Sequence, residues 1–290
     1  MESQQPTTID LPTDTHWMAL TGDFSGFINY LNQLGSVYLQ SRTDGGGIGK
    51  FASIENLFYD PETRQLSDPA NGLCISLKQL VAIHATQSGD ELSGMYSIDF
   101  EFNSRPAGFS IYVMPSISTM KVFQQMLSDC FQNRVASEEI TQWRDDLISE
   151  LPMCPKCEKA ADIRVQFPDY HPIYDIILSL IHSGIPVHTR MLSSHTDLTD
   201  LSIFDGVNIN AGIISIHEAY GGITAINMRN LHAMVLKEKQ IDSSNFAAIE
   251  IYNSHGIQSL EFLVEDTNLL TGWEIMCQSS RIKYPDSPCS

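Results

Sequence analysis

Two stretches of this 290-residue sequence carry one pattern about 149 residues apart, and a repeat of that length limits the fold more than any single motif does. In the first stretch Asp23 leads into FSGFINYLNQLG, where Phe24, Phe27, Ile28, Leu31 and Leu34 recur at helical spacing. Gly35 fits a helix stop, and Val37 and Leu39 begin a strand. In the second stretch HPIYDIILSLIHSG runs into IPVHTRM, so that Ile28 falls on Ile177, Leu31 on Leu180 and Gly35 on Gly184. Further along, SIDFEFNSRPAGFSIYV (97–113) matches AIEIYNSHGIQSLEFLV (248–264) at an offset of about 151. Ile98 pairs with Ile249, Asp99 with Glu250, Phe100 with Ile251, Ile111 with Phe262 and Val113 with Val264. Both segments read as strand, turn, strand, because period-2 alternation is broken by Asn-Ser and Gly. Each precedes an amphipathic helix, at 120–131 or 268–277.

Between helix and final hairpin each half carries further strand-like segments, at 52–59 and 72–86 in the first and at 212–219, 223–230 and 231–240 in the second. Short strands linked by turns predict antiparallel sheets, and amphipathic helices must bury their apolar stripe on them. The expected fold class is therefore α+β with an internal duplication: two antiparallel β-sheet repeats, each backed by helices. The expected divisions are an N-terminal tail (1–17), a first repeat (18–131), an inter-repeat linker with a CxxC (132–165) and a second repeat (166–290).

Composition narrows the function classes. A formal charge of −18 with only 17 Lys and Arg gives no dense basic run to neutralise phosphates, which argues against a nucleic-acid partner. Apolar runs fall short of the roughly 18 residues that span a bilayer. The polar, acidic start lacks the basic and apolar regions of a secretory signal. The expectation is a cytoplasmic protein with no membrane contact, with a homodimer left open. Six cysteines in such a chain read as free thiols rather than a disulfide framework.

Few residues stand out chemically. His217 sits mid-strand in an Ile-Ser-Ile-His alternation, and His171 precedes Pro172 at a helix start; each reads first as a structural histidine and only second as a ligand. Arg42 ends a strand. Cys154-Pro-Lys-Cys157 has the spacing of half a zinc knuckle, but a closed site needs four ligands and no second CxxC follows. Cys130, Cys157 and His171 are conceivable partners, whereas His182, His188, His195 and His255 are scattered. The run Gly45-Gly46-Gly47-Ile48-Gly49-Lys50 lacks the Ser or Thr of a phosphate loop and reads as a flexible hairpin loop.

The collinear order of these motifs resembles the cytosolic haem-utilisation, or haemin-degrading, family typified by HemS and ChuX. LTGDFSGFINYLNQLGSVYLQSRTD is similar to the entry of that family's first repeat, which ends in Thr-Arg-Asn where this chain has Ser41-Arg42-Thr43-Asp44. The 97–113 hairpin resembles its Ser-Leu-Gln-Phe-Phe-Asp-Ala-His-Gly hairpin, and AIEIYNSHG its final Leu-Glu-Leu-Phe-Asp-Ala-Asp-Gly. SGIPVHTR followed by GIISIHEAYGGITAI is similar to its Gly-Leu-Pro-Ile strand and Ile-Gln-Ile-His-Thr-Gly-Pro segment, with His217 at that histidine. The likeness covers most of 18–131 and 171–277. The chain departs from the family in lacking its N-terminal helical segment. It also lacks its inter-repeat helix, where Asp-x-His-x-Phe-Phe carries the expected iron ligand; Asp169-Tyr170-His171 is a faint echo.

The resemblance implies haem as cofactor, His217 as iron ligand with His171 as backup, and Arg42 against a propionate, with Lys50, Arg190 and Lys237 as weaker candidates. It implies a haem-binding protein of haem and iron utilisation, in carriage, storage or degradation. The alternative is a non-catalytic scaffold of the same fold that has lost haem, with zinc at Cys154 and Cys157.

Overall fold

A computed structural model describes residues 16–20, 24–88, 94–103, 107–149 and 154–280. Asp23, most of the tail 1–17, the tip of the first hairpin (104–106) and Cys289 lie outside the described residues. The chain forms two compact units. The first holds the described part of Met1–Ser41, Lys50–Glu150 and Ser194–Asp197; the second holds that of Arg42–Gly49, Leu151–Ser193 and Leu198–Ser290.

In chain order the first part comprises β1 (His16–Leu20), α1 (Phe24–Leu31), β2 (Ser36–Thr43), β3 (Gly46–Ser53), β4 (Phe58–Asp60), β5 (Gln65–Asp68), β6 (Leu73–Ser76) and β7 (Leu80–Ser88). It continues with β8 (Met95–Phe102), β9 (Gly108–Val113), α2 (Ile117–Cys130), β10 (Phe131–Val135) and α3 (Ser137–Ser149). In the first unit an antiparallel ladder runs β10–β1–β7–β8–β9, and β4–β5–β6 form a small meander. Helix α1 buries Phe27, Ile28 and Leu31, and α2 buries Met120, Phe123 and Met126 at one-turn spacing. Aromatic rings fill this core: Phe27 lies 6.3 Å from Phe100, Phe100 5.7 Å from Phe109, and Tyr96 5.5 Å from Phe123. Ser116 and Thr119 cap α2 reciprocally, which fixes where that helix starts.

The rest of the chain comprises α4 (Pro155–Gln166), α5 (Pro172–Ser183), β11 (Pro186–Leu192), β12 (Thr196–Asn210), β13 (Ile213–Glu218) and β14 (Ile223–Asn227). It ends with β15 (Leu231–Ile241), β16 (Ser244–Asn253), β17 (Gln258–Val264) and α6 (Leu269–Gln278). One antiparallel ladder of the second unit runs β15–β16–β17–β11, and another runs β12–β13–β14 and on to the start of β3. Helix α5 buries Ile173, Ile176, Ile177 and Leu180, and α6 contributes Trp273. Gly35 and Gly184, the two expected stops, both take the left-handed conformation, at φ +66° and +61°.

The expected α+β class with antiparallel sheets and packed helices is what the chain forms. No helix among the described residues is long and apolar enough to cross a membrane. The glycine run is a correction: only Asp44 and Gly45 form a turn, while Gly46–Lys50 belong to β3, of which Gly46–Gly49 pair with β14. The physical reason is close approach. A Cβ on Gly46 would lie 2.2 Å from the Ala225 carbonyl oxygen, so glycines that look loop-like in composition are what let the strands meet. Residues read as a link between repeats also carry regular structure, namely β10, α3 and α4.

Candidate ligand face and a cysteine–histidine cluster

The β13 strand alternates. Ile214, Ile216 and Glu218 are buried, while Ile213 and His217 are exposed and Ser215 is half-buried. Directly paired residues of an antiparallel ladder share a face. His217 is paired with Gly206 on β12 and with Ile223 on β14, and Ile223 is paired with Gly49 on β3. One step along, Ser215 faces Ala225, which faces Gly47. The two-residue turn sets Thr43 opposite Gly46, and therefore Arg42 opposite Gly47. Arg42 and His217 accordingly stand on one face of the second unit, three strand spacings apart across the sheet and two residues apart along it, or roughly 16 Å.

Few side chains stand between them. Gly47 and Gly49 offer no side chain and Ala225 only a methyl, while Ile213 and Ile223 leave 37% and 39% of their surface to solvent. The His217 ring lies over Gly206, with its Cδ2 3.9 Å from where a Cβ would stand. The turn after β13 is also glycine-dependent: Gly221 has φ +82°, and a Cβ on Gly222 would meet the Glu218 carboxylate at 2.4 Å. That buried carboxylate accepts a 2.8 Å hydrogen bond from the Thr224 hydroxyl, which ties β13 to β14 beside the histidine.

At the other end, Asp44 pins the hairpin that carries Arg42. The Asp44 carbonyl accepts from the Asn227 and Asn230 amides at 3.0 Å each, its Oδ1 accepts from Asn253 at 2.8 Å, and its Oδ2 lies 3.1 Å from His255 Nε2. Both ends of the face are therefore held by buried or half-buried polar contacts.

The remaining candidates sit elsewhere. His171 is buried and caps α5, its Nδ1 accepting from the Ile173 N–H at 3.1 Å. Burial, with the Arg164 charge second, pushes its pKa down to about 3, so it is neutral with the proton on Nε2. Lys237 is ion-paired to Glu250 at 2.6 Å, Arg190 lies opposite Glu261, and Lys50 is buried. Among the scattered histidines, His195 stacks on Phe102 at 4.8 Å and His188 meets Phe246 edge-on at 5.7 Å.

Residue-by-residue reading missed one grouping. Cys154 and Cys157 open α4, and His232 on β15 joins them, all three ligand atoms lying within 4.8 Å of one another. Cys157 Sγ is 2.8 Å from His232 Nδ1 across 75 residues of sequence, a separation that no local pattern encodes. The first unit holds two clefts of its own. One, of about 390 Å³, is lined by Tyr38, Tyr96 and Tyr112; the other, of about 220 Å³, is lined by His84, Glu101 and Trp143. His84 is held neutral chiefly by burial, against the opposing pull of Glu101 and Asp99.

Two helix-backed antiparallel units in this order define a fold class with solved members. It is the fold of holo-PhuS, a heme-binding protein from Pseudomonas aeruginosa (TM-score 0.65, 9% identity, covering 92% of this chain and 87% of that one), and of the heme-degrading enzyme ChuS of Escherichia coli O157:H7 (TM-score 0.62, 11% identity, 91% and 87%). Apo-PhuS matches equally well, at a TM-score of 0.63. No protein-family model matches the chain, and no curated protein matches it.

Proposed function

We propose that this chain is a cytoplasmic haem-binding protein of haem and iron utilisation, built by duplication of one α+β unit. The observation that carries the haem reading is the pairing of a fold shared with PhuS and ChuS with a face that puts an exposed imidazole and a guanidinium at two ends of a glycine-floored, apolar strip. Such a strip suits a planar macrocycle, and neutral imidazole suits its iron. A guanidinium fork suits a propionate bidentately. When bound, haem would supply the redox and ligand chemistry of its iron; the chain's own part is to hold the plane, orient the propionate and offer a nitrogen. His171 is the backup ligand, with only Nε2 left to offer because Nδ1 caps α5.

Register supports the duplication. The residues that match across the repeat are cross-strand partners in both units: Ile98 with Ile111 and Ile249 with Phe262, Phe100 with Phe109 and Ile251 with Leu260. We propose repeat boundaries at 18–131 and 166–290.

Haem titration of the full chain, followed at the Soret band, tests the reading. One haem per chain with saturation is the expected outcome. Arg42→Ala, removing a charge-assisted contact worth roughly 1.5–3 kcal/mol, should weaken binding about tenfold to hundredfold with little spectral change. A chain that shows no saturable Soret response would instead be a scaffold of this fold that does not take haem.

A further inference from the structure

The second unit contains a ligand set that the haem reading does not use. We propose that Cys154, Cys157 and His232 form a site for one zinc-class divalent cation, clamping the start of α4 to the start of β15, with solvent at the fourth position. The geometry carries the proposal. The three ligand atoms lie within 4.8 Å of one another, and they come from a CxxC at a helix start and from a strand far away in sequence. Across a tetrahedral zinc, sulfur and nitrogen stand about 3.5 Å apart, given Zn–S near 2.3 Å and Zn–N near 2.0 Å. The 2.8 Å contact between Cys157 Sγ and His232 Nδ1 therefore needs to open by only about 0.7 Å to admit the metal.

The surroundings fit. Cys157 is 3% exposed, whereas Cys154 and His232 are half-buried, which leaves an entry path and room for a fourth ligand. The backbone is braced on both sides. The Cys154 N–H donates to the Ser254 carbonyl at 3.2 Å, and the buried Arg164 donates to the Cys157 carbonyl at 3.1 Å and to the Met228 and Arg229 carbonyls just before β15. Arg164 thus joins the same two segments that the metal would join, and with the α4 N-terminus it adds positive potential beside two thiolates. Two thiolates and an imidazole are a borderline-soft set that suits zinc or cobalt(II) over magnesium or calcium.

Cobalt(II) titration of the reduced, metal-free full chain is the test. One cobalt per chain is expected, with a thiolate-to-metal charge-transfer band and tetrahedral d–d absorption that zinc abolishes by displacement. Cys157→Ser should abolish the band, and His232→Gln should weaken binding at least tenfold while circular dichroism stays unchanged, since losing even a hydrogen-bond partner of a ligand costs about 10-fold to 100-fold. If Cys157→Ser does not fold, alkylation of the wild-type chain decides: zinc should protect Cys154 and Cys157 and leave Cys74 and Cys277 reacting. Cobalt bound without a charge-transfer band, no zinc protection, or a Cys154–Cys157 disulfide whose reduction yields no metal binding would each overturn the proposal.

Discussion

In the first unit Asp99 lies opposite Ser110, and its carboxylate accepts from the hydroxyls of Ser97 at 2.7 Å and Ser110 at 2.5 Å, all of them buried. In the second unit the matching residue, Glu250, lies opposite Glu261, and the neighbouring strand β15 meets that pair with Lys237 at 2.6 Å and Lys239 at 2.5 Å. The first unit also buries Glu101, which is ion-paired by Arg144 of α3, whose guanidinium lies 5.2 Å over the Trp17 ring. The two hairpins share a register and yet neutralise carboxylates by different means: serine hydroxyls and a helix-borne arginine in one, strand-borne lysines with the Tyr252 hydroxyl in the other. The difference shows that register was fixed by the apolar alternation, while the polar partners were free to come from whatever element covered each face.

Acid should separate the units most. His171 binds a proton near pH 6.5 when unfolded but only near pH 3 when folded, so the second unit's stability is whole above about pH 6.5 and falls as pH drops toward 3. The slope is about 1.4 kcal/mol per pH unit, or roughly 3 kcal/mol by pH 4. Denaturant unfolding at pH 7 and pH 4 checks this, with the buried Trp273 reporting on the second unit and Trp17 on the first. His171→Asn, which keeps a capping side chain, should flatten the slope. An equally steep slope in that variant would remove His171 as the cause.

A smaller contrast concerns the ion pairs. Arg144→Met strands Glu101, whose side chain is 4% exposed, and forfeits the Trp17 contact, so a loss of about 2–3 kcal/mol is expected. Lys237→Met removes a lysine that is 45% exposed and should cost under about 1 kcal/mol. Denaturation midpoints of the two variants measure the difference; equal losses would mean that helix and strand partners are equivalent.

The hairpins and helices of both halves were legible because alternation of period 2 and apolar spacing of period 3.6 survive in SIDFEF, AIEIYN and IYDIILSLI. The 15-residue β12 was not read, since TDLTDLSIFDGVNIN scatters acidic residues along a strand buried only at intervals. Helix α3 was hidden for a related reason: EEITQWRDDLIS is mostly polar, and its anchor, Arg144, meets Glu101 and the Trp17 ring only far up the chain. Arg42 and His217 could be singled out one at a time, but their common face depends on the β2–β3 turn and on the pairing of β3 with β14. A glycine-rich strand gives no sign of that pairing in sequence. His232 was invisible as a ligand because its partners lie 75 or more residues away.

If haem sits on the open face of β13 with His217 as its nitrogen ligand, as proposed, the absorption spectrum of the haem-loaded chain beside that of His217→Ala should show it. The variant should still take up haem, because Arg42 and the glycine-floored strip remain, but with a displaced Soret maximum and an altered spin state. An unchanged spectrum and affinity in His217→Ala, with the Soret response lost in His171→Ala instead, would contradict it.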